Sequence, residues 1–226
     1  MPEARVVIEG VAKAVEATLT AAARAGIGLG KPEIRPFGTW YIPQMEEGSP
    51  YWSTMWYVGQ SLNESTNTIV GPRFIDTIRQ EPWQQVNAHY DVAILDYDLV
   101  DEPEVMASDQ HSSYALSSTE RDLAAVISVK KLREISDGDT FRRSLIRLTA
   151  HSFGHILEAP STDRPHSSVR TFGDVHCSNT CVMRHAGLVE DLVDLSLEEI
   201  EASVLYCDQC VQDILRHAIK NHFSPN

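Results

Sequence analysis

All four cysteines of this chain fall in its last quarter, as Cys177-x3-Cys181 and Cys207-x2-Cys210. Thiolates are strong zinc ligands, and two close pairs can each turn two sulfurs toward one point, as a closed tetrahedral four-cysteine site requires. Disulfides are the competing use, but 226 residues bury a core without them, and residues 1–10 show no secretory signal. Buried free thiols are the simplest alternative. Upstream, His151-Ser152-Phe153-Gly154-His155 sets two imidazoles at i and i+4, one turn apart on one helix face, where both can reach a single metal. Five of the nine histidines (His151, His155, His166, His176 and His185) lie within 35 residues. A lone HxxxH is common surface polarity. Here His176 directly precedes Cys177 and Met183 closely follows Cys181, which gives the pair weight.

Helices and strands must hold these groups. Residues 140–157 carry Phe141, Leu145, Ile146, Leu148, Phe153, Ile156 and Leu157 on or near one stripe, which predicts a helix started by Asp139 or Thr140. A second, acidic helix is expected from about Ser196, as its cap, to Tyr206, continuing past the second cysteine pair into residues 211–218. Residues 90–96 and 124–129 read as strands, with a polar loop containing His111 between them. Residues 68–70 read as a short strand followed by a Gly71-Pro72 turn, and residues 74–86 as a helical pattern interrupted by Pro82. The Ala-rich residues 9–23 predict a first helix ending near Gly26. Residues 28–53, dense in Gly, Pro and aromatics, predict an ordered irregular stretch. Nearby, Trp40, Trp52, Trp56 and Tyr57 would fill core gaps or line a substrate wall.

The mixture predicts an α/β (α+β) fold, a single domain over residues 1–226 with a small mixed β-sheet. Residues 1–64 would form an N-terminal helix and irregular segment, 65–157 the sheet and the HxxxH helix, and 158–226 a zinc-rich, helical C-terminal part. With 19 Lys and Arg against 32 Asp and Glu, the net charge of −13 argues against nucleic acid as a partner. At 42 % hydrophobic and 23 % charged residues, wholesale disorder is excluded. No apolar run of about 18 residues occurs, so no membrane span is expected, and a cytoplasmic protein is.

The order HxxxH, His-Cys, Cys-x-Met, CxxC resembles the archaemetzincin family of zinc metallopeptidases, whose pattern is HExxHxxGxxHC, then CxM, then CxxC. Upstream, residues 96–99 and 126–132 resemble the family's Asp-Leu strand end and its Ser-bearing edge strand, and the resemblance spans residues 65–220. It implies a metzincin-like domain with two zinc ions. Catalytic-type zinc would be held by His151, His155 and His176, and structural zinc by Cys177, Cys181, Cys207 and Cys210. Met183 would form the Met-turn beneath the histidines, a packing role. Peptides or unfolded proteins would be the substrates, and a monomer is the simplest assembly.

Three departures from the family matter. The general-base Glu is replaced by Ser152, whose hydroxyl cannot accept a proton near neutral pH. Such a loss costs on the order of 10²–10⁴ in rate, about 3–5 kcal/mol. Between His155 and the His-Cys pair stand twenty residues instead of five, so plain spacing puts Glu158 at the glycine and Ser161 at the third histidine. Three residues separate Cys177 from Cys181 instead of four. The third ligand is therefore open among His176, His166 and Asp163, with His176 favoured because the neighbouring Cys177 fixes its position. Glu158 could approach a zinc-bound water or stand solvated, and His185 could line a cleft or the surface. The resemblance implies a metallopeptidase whose activity is weakened or lost; the alternative is a zinc-binding pseudopeptidase that holds peptides or a protein partner.

Overall fold

The computed structural model describes residues 2–35, 51, 54–86, 89–101, 114–166, 168–171, 174–202 and 204–221. Trp40, Trp52, His111 and most of residues 28–53 lie outside the described residues.

The fold is α/β, organised around α4 (Gly138–Ile156), the helix that carries HxxxH. Its cap is Asp137, not Asp139 or Thr140: the Asp137 carboxylate accepts the Thr140 backbone N–H at 2.7 Å. Asp137 has the extended backbone that a cap needs, whereas Asp139 and Thr140 are already helical. Leu145, Leu148 and Ile156 are buried along α4, each contributing about 1.5–3 kcal/mol of transfer free energy. Support comes from α1 (Pro2–Arg24), which runs along α4 in the same direction, with Glu9 beside Arg142 and Gly10 beside Thr149, and which starts earlier than its Ala-rich stretch suggests. The two helices touch closely where a Cβ on Gly10 would meet Thr149 Cβ at 2.7 Å, so only glycine fits that crossing.

The expected small mixed sheet is divided in two. β1 (Leu62–Asn63), β2 (Thr68–Val70) and β4 (Asp98–Val100) form one three-stranded sheet, with β2 antiparallel to β1 and parallel to β4. β3 (Asp91–Leu95), β5 (Ser117–Glu120) and β6 (Ala124–Ser128) form the other, ordered β3-β6-β5, with β6 parallel to β3 and antiparallel to β5. The Ser128-bearing strand is thus central, not an edge. Every residue of β6 is buried, because strands pair with it on both sides and α4 covers it.

Gly71-Pro72 opens α3 (Gly71–Arg79) instead of making a turn, since proline suits the first helical turn, where its missing N–H has no partner to lose. Trp56 and Tyr57 belong to α2 (Thr54–Ser61), where Tyr57 is buried. The long helix expected past residue 196 is two helices. α5 (Val189–Glu201) contains Ser196 as an interior residue, and Cys207 is the cap residue of α6 (Asp208–Lys220). The interruption lets the second cysteine pair turn toward the first. An antiparallel hairpin, β7 (Ser168–Thr171) with β8 (Asp174–Cys177), was not apparent in the sequence and lies in the long stretch after α4. Among the described residues no helix is long and apolar enough to cross a membrane.

Candidate metal centres

Two groups of side chains converge on the C-terminal end of α4. His151, His155 and His176 each offer a ring nitrogen, all within 4.8 Å of one another, and Cys177, Cys181, Cys207 and Cys210 offer four sulfurs under the same limit. The sequence-predicted ligands are therefore brought together. His166 and Asp163 are exposed and stand outside the histidine group. The hairpin explains the choice of His176: β8 pairs back against β7 with Val169 opposite His176, carrying that histidine to α4 despite the long intervening segment.

The three histidines are 8 %, 2 % and 6 % exposed in chain order. His151 Nδ1 lies 2.7 Å from the Val182 carbonyl, which can only accept, so that nitrogen carries the proton and Nε2 keeps its lone pair. His155 Nδ1 lies 3.3 Å from an Asp174 carboxylate oxygen but makes no hydrogen bond among the described residues. The two Nε2 atoms are 3.2 Å apart, in hydrogen-bond range. Burial pushes both imidazoles well below their usual range, so the rings stay neutral, and a His155 Nε2–H can donate to the His151 Nε2 lone pair. A cation between the two nitrogens would replace that proton. The edge of a tetrahedron with Zn–N of 2.0–2.1 Å is about 3.3–3.4 Å, close to the separation found. His176 stacks on His151 with ring centroids 5.4 Å apart, burial lowers it to about 4, and its Nδ1 has no hydrogen-bond partner among the described residues.

The floor of this group is packed tightly. Met183 is fully buried, and its sulfur sits where a Cβ on Gly154 would come within 2.3 Å. Its carbonyl accepts the Cys177 N–H at 2.9 Å, tying the turn to β8. One turn before His151, buried Arg147 makes a two-pronged pair with Glu199 on α5 (2.9 and 3.1 Å) and donates to the Arg184 carbonyl beyond Met183. Ser152 is fully buried, and its Oγ has no hydrogen-bond partner among the described residues. His185 sets its ring edge-on to His176, centroids 4.7 Å apart, so it borders the site and is only half-buried. Glu158 instead faces His217, with 3.6 Å between its carboxylate and Nδ1.

The sulfur group has a different character. Cys177 and Cys207 sulfurs are 3.7 Å apart and those of Cys181 and Cys210 are 3.8 Å apart, far beyond a disulfide bond. With Zn–S of 2.3 Å a tetrahedral edge is about 3.8 Å, so the donor set fits zinc. Hydrogen bonding from Cys181, against an opposing effect of Cys207 and with help from Cys210, draws Cys177 down to about 6, while sharing of the same protons pushes Cys181 and Cys210 up. Four thiolates this close need positive charge.

Some of that charge comes from Arg164, whose guanidinium lies 3.4 Å from both Cys177 and Cys210 sulfurs and also pairs with buried Asp213. Asn179 adds a backbone N–H to Cys177 at 3.4 Å. Sequence reasoning missed Arg164 and Asp174. Nothing near Arg164 in the chain marks it, but Asp174 stands two residues before His176 on β8, a spacing that puts both on one strand face. Asp174 is itself held by Arg121 at 3.0 Å.

In a comparison with solved structures, the chain is similar to an archaemetzincin from Methanopyrus kandleri, with 15 % identity, coverage of 71 % of this chain and 72 % of that one, and a TM-score of 0.47. No family model matches the sequence. No curated protein matches it either.

Proposed function

We propose that the chain is an archaemetzincin-type zinc protein with two zinc ions, a metallopeptidase whose hydrolytic step is weakened or lost because Ser152 stands at the position of the general base. The observation that carries this reading is the convergence of His151, His155 and His176, with the Nε2 atoms of the first two 3.2 Å apart. Three neutral imidazoles are a hydrolytic ligand set, and the zinc they would hold supplies Lewis acidity and a water of lowered pKa. The remaining roles belong to the protein. The Val182 carbonyl keeps the Nδ1 proton of His151 in place, so that ring presents Nε2, and the Asp174 carboxylate near His155 Nδ1 would do the same for the second ring once a metal takes its Nε2. Met183 against Gly154 sets the height of α4 beneath the rings.

Ser152 can neither accept a proton at neutral pH nor reach as far as a glutamate. Peptide hydrolysis would therefore lose about 10²–10⁴ in rate. Cys177, Cys181, Cys207 and Cys210 would hold the second zinc in a structural role. The substrate class is peptides or unfolded protein segments. The second reading, a pseudopeptidase that binds such chains without cutting them, is favoured by the full burial of Ser152.

The test is peptide-library turnover by the chain beside Ser152→Glu. Slow cleavage by the chain that rises in the variant is the expected result. Cleavage by the variant alone supports the pseudopeptidase, and cleavage by neither, with histidine-bound zinc present in both, overturns the peptidase assignment.

A further inference from the structure

A second set of potential ligands lies away from both centres, between α3 and the open edge of β3. Glu81 follows α3, Asp91 begins β3, and His89 stands two residues before it. One donor atom from each lies within 4.8 Å of the others, and His89 Nε2 is 3.2 Å from Asp91 Oδ2. Glu81 is only 3 % exposed. One of its oxygens accepts the Tyr57 hydroxyl at 2.5 Å, while Oε2, equally buried, has no hydrogen-bond partner among the described residues. Gln84 donates to Asp91 Oδ2 at 3.0 Å and so fixes the orientation of that carboxylate.

We propose that Glu81, His89 and Asp91 form a third cation site, one that takes a divalent first-row transition ion such as zinc. One imidazole and two carboxylates are donors for such ions. With Zn–N and Zn–O of 2.0–2.2 Å, neighbouring donors stand about 3.3–3.6 Å apart, close to the His89–Asp91 separation of 3.2 Å. The cation would add to the Glu81 carboxylate a full positive charge beside the partial support of His89 and Trp83, and Gln84 would act as an outer support of the kind that orients metal-bound carboxylates.

The three residues share the wall of a cavity of about 1130 Å³, whose lining also includes Val7, Val11 and Val15 of α1. Three protein ligands leave coordination positions open, and these would face a space large enough for a small ligand. The site is built from elements that contribute nothing to the histidine or cysteine groups, so it stands or falls independently of the peptidase reading.

Equilibrium dialysis of the full-length chain against zinc, with bound metal counted per chain, tests the assignment. Glu81→Gln and His89→Ala are each expected to bind one equivalent fewer than the chain itself. Because only the difference is read, the result does not depend on occupancy of the other two centres. Circular dichroism selects the variants that fold, and His89→Ala, at a half-buried position, serves if Glu81→Gln does not. Zinc should raise the unfolding midpoint of the chain more than that of either variant. Equal zinc counts in the chain and in a folded variant overturn the proposal.

Discussion

The histidine and cysteine centres share one strand and differ in almost everything else. On β8, His176 and Cys177 are adjacent, and successive strand residues point to opposite faces, so a single element feeds both groups. The cysteine centre closes on itself with four donors, and it borrows an arginine and a backbone N–H to support their charge. The histidine centre has three donors kept neutral by burial, with the Val182 carbonyl fixing the proton of His151. One scaffold thus yields a closed shell suited to holding the fold and an open shell suited to exchange. The difference lies in donor number and donor charge, not in where the chain runs.

The largest expected effect is at the closed centre. Cys210→Ser should remove its zinc and free α6, because structural zinc contributes on the order of 10 kcal/mol that is also folding free energy. Zinc content and denaturant unfolding measure it; unchanged melting with full metal would erase the distinction between the centres. The same ranking predicts two steps when the intact chain is titrated with chelator, the histidine-bound zinc leaving first without loss of circular dichroism. Zinc and structure vanishing together would break it.

A smaller effect is expected at the floor of the open centre. A methyl on Gly154 must displace the Met183 sulfur and presses on Tyr206 at 3.1 Å, so Gly154→Ala should destabilise by about 1–3 kcal/mol. Thermal unfolding gives the magnitude, and a variant as stable as the parent would show that the Met183 packing is dispensable. Asp174→Asn should weaken zinc at the histidine centre by roughly 10–100-fold and leave the cysteine centre alone. Competition with a zinc indicator reads both affinities, and an equal loss at both would mean that Asp174 acts on the whole hairpin.

A separate effect is acid sensitivity. In protein stripped of histidine-bound zinc, burial lowers His176 to about 4, below the ordinary value near 6.5. Between those values the unfolded chain binds more protons than the folded one, so stability is full above about 6.5 and declines as pH falls toward 4. His151 and His155, shifted the same way, steepen the decline. Urea midpoints at neutral and mildly acidic pH should fall accordingly; a flat profile would show that the empty site opens to water.

What the sequence determined by itself is what depends on local spacing. Two imidazoles one helical turn apart, two close cysteine pairs and the apolar stripe of α4 needed no tertiary information, because helix geometry places i and i+4 on one face wherever the helix lies. The α1 helix and the strands at residues 91–95 and 124–128 were legible for the same reason of local periodicity. What only the tertiary structure decided is which distant groups meet. His176 and not His166 joins α4 because an unforeseen hairpin folds back, and the break between α5 and α6 aims the second cysteine pair. The strand at 124–128 is central only because β3 and β5 both pair with it. Arg164 reaches two sulfurs, and Asp174 a histidine, across chain separations that no periodicity spans. Spacing encodes direction along one element; contact between elements is settled by which faces the whole chain can bury together.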